Sequence, residues 1–310
     1  MNSLADRLKK IVGEKNVFVG NEVDDRYTSD MWGRFGCSPG FVVRPASTEE
    51  VVGIVNLARD EKVSITPLGG RTGAVGGGHC PSDGVILSLE RMNRILEIDA
   101  SNMTATVEAG AILQNVHEAV EAQGLLMPLD LGARGSATIG GNISTNAGGL
   151  RVLRWGMMRD MVIGLEAVLA NGSVVSSLGK TLKDNAGYNW KHLLIGGEGS
   201  LGIVTKAVLR LRPFPMSSQT ALAALDNMDH AIGLLRKLEA ELGGQLSSYE
   251  LMWNNFYDFV STAQLPRRPR SLPVGSPLYA VFESLGSNQE RDRQIFEEVL
   301  SDALEQGLIK

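Results

Sequence analysis

The sequence lacks long apolar runs, paired cysteines and clusters of positive charge. No stretch has the roughly 18 consecutive apolar residues of a membrane-spanning helix, and two cysteines in 310 residues are too few for a disulfide framework. The 30 Lys and Arg residues are outnumbered by 35 Asp and Glu residues and are scattered along the chain. Because no basic patch could neutralise a row of phosphates, the composition excludes nucleic acid as an expected partner.

The cysteines and the first residues also bear on where the protein is expected to work. Cys37 and Cys80 are isolated, as expected of buried small side chains in a reducing compartment. Residues 1–26 mix acidic and basic side chains, a composition that fits neither a secretory signal nor an acid-poor transit peptide. We therefore expect a cytoplasmic protein.

Glycine is abundant instead, with 36 residues concentrated in three clusters. The clusters span 69–78, 132–149 and 196–202, and none has the Ser-rich composition of a flexible linker. Since regular structure is predicted around the clusters, we expect three loops that converge on one bulky ligand.

Periodicity predicts an α+β chain with two domains. In the first domain, 1–215, the predicted strands lie at 41–44, 63–67, 85–88, 95–98, 104–108, 162–169, 174–176 and 203–211, and the predicted helices at 49–59 and 112–122. Arg212-Pro213-Phe214-Pro215 then breaks the pattern. In the second domain, 216–310, strand, helix, strand, strand and helix follow at 220–225, 229–242, 245–251, 277–283 and 290–306.

The order in the second domain is the split βαβ pattern without its closing strand. An interrupted layer leaves an unpaired sheet edge. We therefore expect this domain to be cut short at Lys310 by an artificial chain boundary, with an unusual natural end as the alternative.

The first glycine loop runs from Pro67 to Gly78, directly after a predicted strand. Successive backbone N–H groups in so glycine-rich a turn can point at one anion, which suits a pyrophosphate, and Thr72 could add a hydroxyl. The loop has neither the Gly-Lys-Ser/Thr of a Walker A motif nor the glycine spacing of a Rossmann fingerprint. The alternative is a mobile surface loop, which the strands on either side disfavour.

A literal GxGxxG occurs at Gly197–Gly202, but its context excludes a Rossmann fingerprint. That fingerprint needs a helix after the turn, whereas the β-branched residues from Ile203 to Leu211 predict a strand. We interpret the motif as a tight turn whose backbone abuts a ligand. Glu198 is either a ligand contact or a carboxylate that faces solvent or caps backbone N–H groups.

The middle cluster alternates small residues with hydroxyl and amide side chains between Pro128 and Gly149. Many hydrogen-bonding groups that occupy little space suit a flat heterocycle with polar edges. Each Ser or Asn alone is more typical of a turn. Together with two other glycine loops, the binding interpretation gains support.

These three segments carry a resemblance to a known family. The loop from Pro67 to Gly78, the run from Ser136 to Gly149 and the segment from Tyr188 to Thr205 resemble FAD-linked oxidases of the vanillyl-alcohol oxidase and p-cresol methylhydroxylase superfamily. Within it, the resemblance favours the branch of D-lactate dehydrogenase, the glycolate oxidase D subunit and D-2-hydroxyglutarate dehydrogenase. It implies a two-lobed FAD-binding domain of the p-cresol methylhydroxylase type, with lobes at about 1–100 and 101–215, followed by an incomplete ferredoxin-like substrate domain.

The resemblance also implies which residues contact FAD. The first loop would hold the pyrophosphate. The middle run would line the diphosphate and the ribityl part, with its end at 146–149 nearer the isoalloxazine ring, and the third loop would contact the adenosine side. The implied cofactor-binding residues are Pro67, Gly69, Gly70, Arg71, Thr72, Gly73, Gly135, Ser136, Thr138, Ile139, Gly140, Gly141, Asn142, Asn146, Gly148, Gly149, Glu198, Gly202 and Ile203. Some relatives tether the flavin through a first-loop histidine. Because Arg71 and Thr72 stand there in this chain, the resemblance implies non-covalent FAD.

The implied activity is oxidation of a D-2-hydroxy acid of the D-lactate, glycolate or D-2-hydroxyglutarate type to the 2-oxo acid, with hydride transfer to flavin. The electron acceptor would be a quinone, a carrier protein or a partner subunit, and a homodimer or a hetero-oligomer is left open. The alternative is a flavin-binding module that another region or chain completes. A flavin reductase of cell-wall precursor synthesis is disfavoured, because residues 212–310 match the hydroxy-acid branch, notably at 248–252.

Histidine is scarce, which bears on catalysis. In relatives, a His-rich segment beyond the matched region supplies the catalytic base and often metal ligands. This chain has no HxH or HxxxH pair among its histidines, which are His79, His117, His192 and His230. We therefore assign no catalytic residue and no metal ligand, and we expect the chain of 310 residues alone not to turn over D-2-hydroxy acids.

Overall fold

The structure, a computed structural model, describes residues 3–29, 31–34, 36–264 and 270–310. The chain forms two compact units. The first holds Met1–Ala147 and Met157–Pro213, and the second holds Gly148–Gly156 and Phe214–Lys310. The chain passes from the first unit to the second near the expected residue 215. In addition, a short segment at 148–156, called the excursion below, leaves the first unit and folds with the second.

Eleven of the described strands lie in the first unit. In chain order its strands are β1 (Val17–Val19), β2 (Phe41–Val43), β3 (Ile65–Leu68), β4 (Val85–Ser88), β5 (Ile95–Asp99), β6 (Thr104–Glu108), β7 (Leu125–Leu126), β8 (Val162–Leu169), β9 (Val174–Ser177), β10 (Gly202–Arg210) and β11 (Arg212–Pro213). The second unit adds β12 (Ser217–Leu225), β13 (Leu246–Trp253) and β14 (Leu278–Gly286).

The described α-helices lie in both units. In chain order they are α1 (Leu4–Val12), α2 (Thr48–Glu61), α3 (Leu113–Glu121), α4 (Ile139–Ser144), α5 (Val152–Trp155), α6 (Met158–Met161), α7 (Lys191–Leu194), α8 (Met228–Glu241), α9 (Asn254–Phe259) and α10 (Gln289–Glu305). Within the described ranges, no helix is both long and apolar enough to cross a bilayer.

Two larger sheets and one two-stranded sheet lie in the described part of the first unit. The first has the order β1-β2-β4-β3, with β2 and β3 parallel to β4. The second is antiparallel, with the order β5-β6-β10-β8-β9, and β7 pairs with β11. Because β5 pairs with β6, the change from one sheet to the other falls between Ser88 and Ile95. The predicted lobe boundary near residue 100 places β5 with the first sheet instead.

Periodicity and capping explain why the predicted elements form. The strands predicted at 85–88, 104–108 and 162–169 are confirmed with the same bounds. Helix α2 begins where predicted, because the Ser47 hydroxyl accepts a hydrogen bond from the Glu50 N–H at 3.3 Å and Glu50 accepts one from the Ala46 N–H at 2.7 Å. Helix α1 and strand β1 precede the first predicted strand and were not predicted.

The second unit is a three-stranded antiparallel sheet of order β12-β14-β13, so the last strand lies in the middle. Helices α8 and α10 pack on it, and the core between them includes Leu234, Leu238, Phe282 and Phe296, all buried. The observed β-α-β-β-α order confirms the split βαβ pattern that the sequence predicts.

A buried carboxylate links helix α2 to the second sheet of the first unit. Glu166 on β8 accepts hydrogen bonds from the Thr48 hydroxyl at 2.7 Å and from the Thr205 hydroxyl at 3.0 Å, and it lies 2.9 Å from the Lys206 ammonium. Burial alone would raise the pKa of Glu166, but the hydrogen bonds from Thr48, Lys206 and Thr205 outweigh it, and the pKa is lowered. The ionised form therefore stabilises the fold.

We predict that Glu166→Gln lowers the free energy of unfolding at pH 7 by about 1–3 kcal/mol, because Lys206 loses its carboxylate partner. The pKa of Glu166 is lower in the folded state, so the stabilisation is present above the ordinary value of 4.5 and is lost as the pH falls through the folded-state pKa. Urea unfolding of wild type and variant at pH 7 and in acid measures this, and the difference should shrink in acid. Glu97→Gln is the control, since Glu97 is a half-exposed partner of Lys180. A Glu166→Gln penalty no larger than that of the control would contradict the prediction.

Candidate functional site

The first and middle glycine segments touch through their backbones. A Cβ atom on Gly70 would overlap the carbonyl oxygen of Ser136, and one on Gly69 would overlap the Thr138 hydroxyl. A side chain at Gly70 would require the backbone of the middle segment to move, and one at Gly69 would require the Thr138 side chain to move. Gly73, by contrast, faces open space. The structure thus brings the two predicted binding segments together and leaves room beside them.

The third glycine segment joins both of the others. The N–H groups of Gly196 and Glu198 donate to the carbonyl oxygens of Ile143 and Ser144 at 3.0 and 2.9 Å, which ties it to helix α4. On the other side, a Cβ on Gly199 would come within 2.9 Å of the Pro67 ring. The three segments that the sequence predicts to converge therefore do so within the first unit.

Strained backbone marks each of the three segments. Five described residues other than glycine have positive φ, and three of these are Arg71 at 56°, Asn146 at 46° and Glu198 at 49°. Such conformations cost about 1–3 kcal/mol each and persist where surrounding contacts impose them. The Arg71 guanidinium donates to the carbonyl and hydroxyl oxygens of Ser29, and the Asn146 amide oxygen accepts from the Arg159 N–H at 2.9 Å. Strain held in place at three meeting loops is typical of a binding site.

The middle segment is partly helical, which corrects its interpretation as loop. Helix α4 begins after Thr138, whose hydroxyl caps the Gly141 N–H at 3.3 Å. The Gly140 N–H donates to the Ala109 carbonyl at 2.6 Å, and a Cβ on Gly140 would lie 2.8 Å from the Ala109 side chain. The Ile139 N–H is likewise used, by the Ala111 carbonyl. These residues position α4 closely against the second sheet, and their N–H groups are already bonded within the protein.

Asn142 is the one predicted site residue that carries an unused buried donor. Its side chain is 4% exposed, and its amide nitrogen has no hydrogen-bond partner among the described residues. Leaving such a donor unpaired costs about 1–3 kcal/mol. A ligand acceptor seated beside α4 would remove this cost, which is what a polar-edged cofactor provides.

An open cleft of about 310 Å³ adjoins the meeting point of the loops. Helix α2, strand β3, the β8 end and the third segment form its walls, and Pro67, Gly202 and Ile203 of the predicted set line it. The walls are mainly apolar. A cleft of this size and character can hold a flat heterocycle with its sugar.

The remaining predicted residues differ in position. Gly135 faces open space, while Gly148 and Gly149 belong to the excursion that folds with the second unit. In that unit, Arg151 holds the excursion through Glu283 at 3.3 Å and Arg154 donates to the Leu285 carbonyl at 2.6 Å. These two arginines were not among the residues predicted to contribute to the site. Their spacing of three residues, which places them on one helix face, was the available signal.

The histidines do not form a group. His117 is buried and bonds the Leu129 carbonyl through Nε2 at 2.8 Å, so its role is structural. His192 has its Nδ1 3.4 Å from the Arg159 guanidinium, and partial burial together with the charges of Arg159 and Lys191 lowers its pKa despite the opposing charge of Asp160. Within the described ranges, no three His, Cys, Asp or Glu side chains could hold a metal ion. The absence of a catalytic residue and a metal ligand from this chain stays a prediction.

Similarity to known proteins supports the interpretation of this site as an FAD site. Residues 39–177 match the family model of the FAD binding domain. Substrate-bound p-cresol methylhydroxylase has the same fold, with a TM-score of 0.77 at 18% identity over 99% of this chain and 64% of that one. Residues 39–177 therefore carry an FAD binding domain, and the chain has the fold of p-cresol methylhydroxylase, so the predicted fold class and FAD cofactor are confirmed.

Two curated relatives indicate which branch of FAD-linked oxidoreductases the chain resembles. The chain is 40% identical over 301 residues to mitochondrial D-2-hydroxyglutarate dehydrogenase of Arabidopsis thaliana, covering 97% of this chain and 54% of the relative. It is 34% identical over 306 residues to D-lactate dehydrogenase of Anaerostipes hadrus, covering 97% and 63%. The resemblance to the D-2-hydroxy-acid branch is confirmed, and the chain spans about half to two thirds of the length of these relatives.

We predict different effects for two glycine substitutions in the first loop: Gly70→Ala disturbs the packing of the loops, whereas Gly73→Ala fills only the space expected for the ligand. Gly70→Ala should destabilise the apoprotein by about 1–3 kcal/mol and lower its FAD content, because the new methyl group forces the Ser136 backbone away. Gly73→Ala should leave apoprotein stability unchanged and lower FAD content alone. Gly132→Ala, also in open space but outside the predicted contacts, is the control. Denaturant unfolding and flavin absorbance measure the two effects. Normal FAD binding in both test variants would contradict the convergence of the loops on FAD.

Proposed function

We propose that this chain forms the flavin-binding part of an oxidoreductase that oxidises a D-2-hydroxy acid to the 2-oxo acid. The observation that carries the proposal is the meeting of three glycine segments beside a buried, unpaired amide at Asn142. The named relatives support the substrate class, since both act on D-2-hydroxy acids by their names. The substrate would be of the D-lactate, glycolate or D-2-hydroxyglutarate type.

Different residues of the site suit different parts of the cofactor. The open space at Gly73 and the Thr72 hydroxyl suit the pyrophosphate, since no side chain there blocks close approach. The Asn142 amide nitrogen would donate to a polar edge or hydroxyl of the flavin half. The apolar cleft beside Pro67, Gly202 and Ile203 would take the adenine half.

The cleft suits adenine better than isoalloxazine for two reasons. Its walls offer few hydrogen-bonding groups, whereas the isoalloxazine ring has polar atoms along a whole edge that need partners. The reacting ring also has to be reached by substrate, whereas the base at the other end of the dinucleotide only has to be held. An apolar cleft that anchors the base leaves the flavin end to the middle segment.

When bound, flavin would accept a hydride from the carbon that bears the substrate hydroxyl, while a general base takes the hydroxyl proton. The three glycine segments would bind and orient the cofactor, through the rigid contact of Gly69 and Gly70 with the middle segment. We assign no general base to the part of this chain described above. The reduced cofactor needs an acceptor, for which we retain a quinone, a carrier protein or a partner subunit. The two free thiols, Cys37 and Cys80, support our proposal of a reducing, cytoplasmic compartment.

We predict that FAD is bound non-covalently. Arg71 and Thr72 occupy the first loop where a tethering histidine would stand, and His79 lies exposed beyond it. Acid precipitation of the purified yellow protein should release all flavin into the supernatant, where its absorbance and fluorescence are measured. Yellow colour that stays in the pellet after washing would contradict this.

Substrate class is tested by anaerobic mixing of the full gene product with both enantiomers of lactate and 2-hydroxyglutarate, and with glycolate. We expect one of the D-acids or glycolate to bleach the flavin absorbance, and the L-acids not to. Bleaching by L-acids alone would contradict the proposal. Bound FAD that none of these acids reduces would favour the alternative of a flavin-binding module without chemistry of its own.

A further inference from the structure

One side chain in the wall of the cleft is positively charged. Arg59, near the end of helix α2, lines the cleft together with Val55 and Ala58 of the same helix. Among the described residues that line it, Arg59 is the only charged one. Its side chain is half exposed, so the guanidinium lies at the rim, where the apolar wall meets solvent.

The guanidinium is held from two sides. Its Nη1 donates to the carbonyl oxygen of Asn171 at 2.8 Å, and its Nε and Nη2 lie 3.4 and 3.2 Å from the carboxylate of Asp60. A planar guanidinium with donors engaged along its edges can still stack through its faces. Since long side chains lose rotamer entropy on binding, an arginine that is already restrained costs less to order.

The turn between β8 and β9 provides the first of these contacts. Gly172 has φ of 83°, and a Cβ there would overlap the amide of Asn56 on α2. The positive φ favours glycine at this position, where the hairpin end sits against the helix and brings the Asn171 carbonyl to Arg59. The Asn171-Gly172 pair, a dipeptide typical of hairpin turns, thus also fixes a residue of the cleft.

We propose that Arg59 is a positioning residue for the adenine half of FAD, and that the Asn171-Gly172 turn holds it in place. The inference rests on the proposed function, because it requires FAD in this site. A purine presents an electron-rich face, which attracts a guanidinium, and stacking of this kind is worth about 0.5–2 kcal/mol depending on exposure. Arg59 thereby favours the dinucleotide over a flavin mononucleotide that has no adenine.

The test compares FAD and FMN binding by quenching of flavin fluorescence in the apoprotein. Arg59→Met removes the cation and keeps a long side chain, and Arg59→Lys keeps the charge without the planar group. Lys62→Met is the matched control, since Lys62 is a cation that follows the same helix and does not line the cleft. The unfolding midpoint of each apoprotein is measured alongside.

We expect Arg59→Met to weaken FAD binding about three- to tenfold. Arg59→Lys should be intermediate, and Lys62→Met should bind FAD as the wild type does. FMN binding and apoprotein stability should not differ between Arg59→Met and wild type. Unchanged FAD affinity in Arg59→Met, or an equal loss in Lys62→Met, would overturn the role of Arg59 while leaving the proposed function intact. Wild-type protein that fails to bind FAD would overturn the proposed function itself.

Discussion

Among the described glycines, Gly70 leaves the least room for a side chain, at the contact between the first glycine loop and the middle segment. At Gly70 the loop backbone lies against the Ser136 carbonyl with no room for a methyl group. This contact fixes where strand β3 delivers its loop relative to helix α4. The third segment then attaches to the α4 carbonyls of Ile143 and Ser144, so its position depends on the same helix. A site made of three loops is rigid here because backbone packs on backbone.

Rigidity of this kind has an energetic cost that the fold has to carry. Three residues with side chains, Arg71, Asn146 and Glu198, adopt a left-handed backbone at the loops, and the Asn142 donor is buried unpaired. Each feature destabilises the apoprotein by a small amount. Cofactor binding would offset the last of these, so FAD is expected to stabilise the fold as well as to provide its chemistry.

Local patterns made much of the fold predictable from sequence. Alternation and β-branched residues located β4, β6 and β8, and the strand after Gly202 correctly excluded a Rossmann motif. Glycine clustering predicted the convergence of the loops. What local patterns do not contain is tertiary contact. Helix α4 forms in a glycine-rich run because Thr138 caps it and Ala109 packs on it, and the excursion at 148–156 folds with the second unit because Arg151 finds Glu283 far along the chain.

The central claim is that three separate segments of the first unit bind one ligand. Amide hydrogen exchange measured with and without FAD tests this most directly, because it reports each segment separately. The account predicts that FAD slows exchange together in 69–78, 136–146 and 196–203. Slowing confined to one of these segments, or slowing of equal size throughout the second unit, would contradict it.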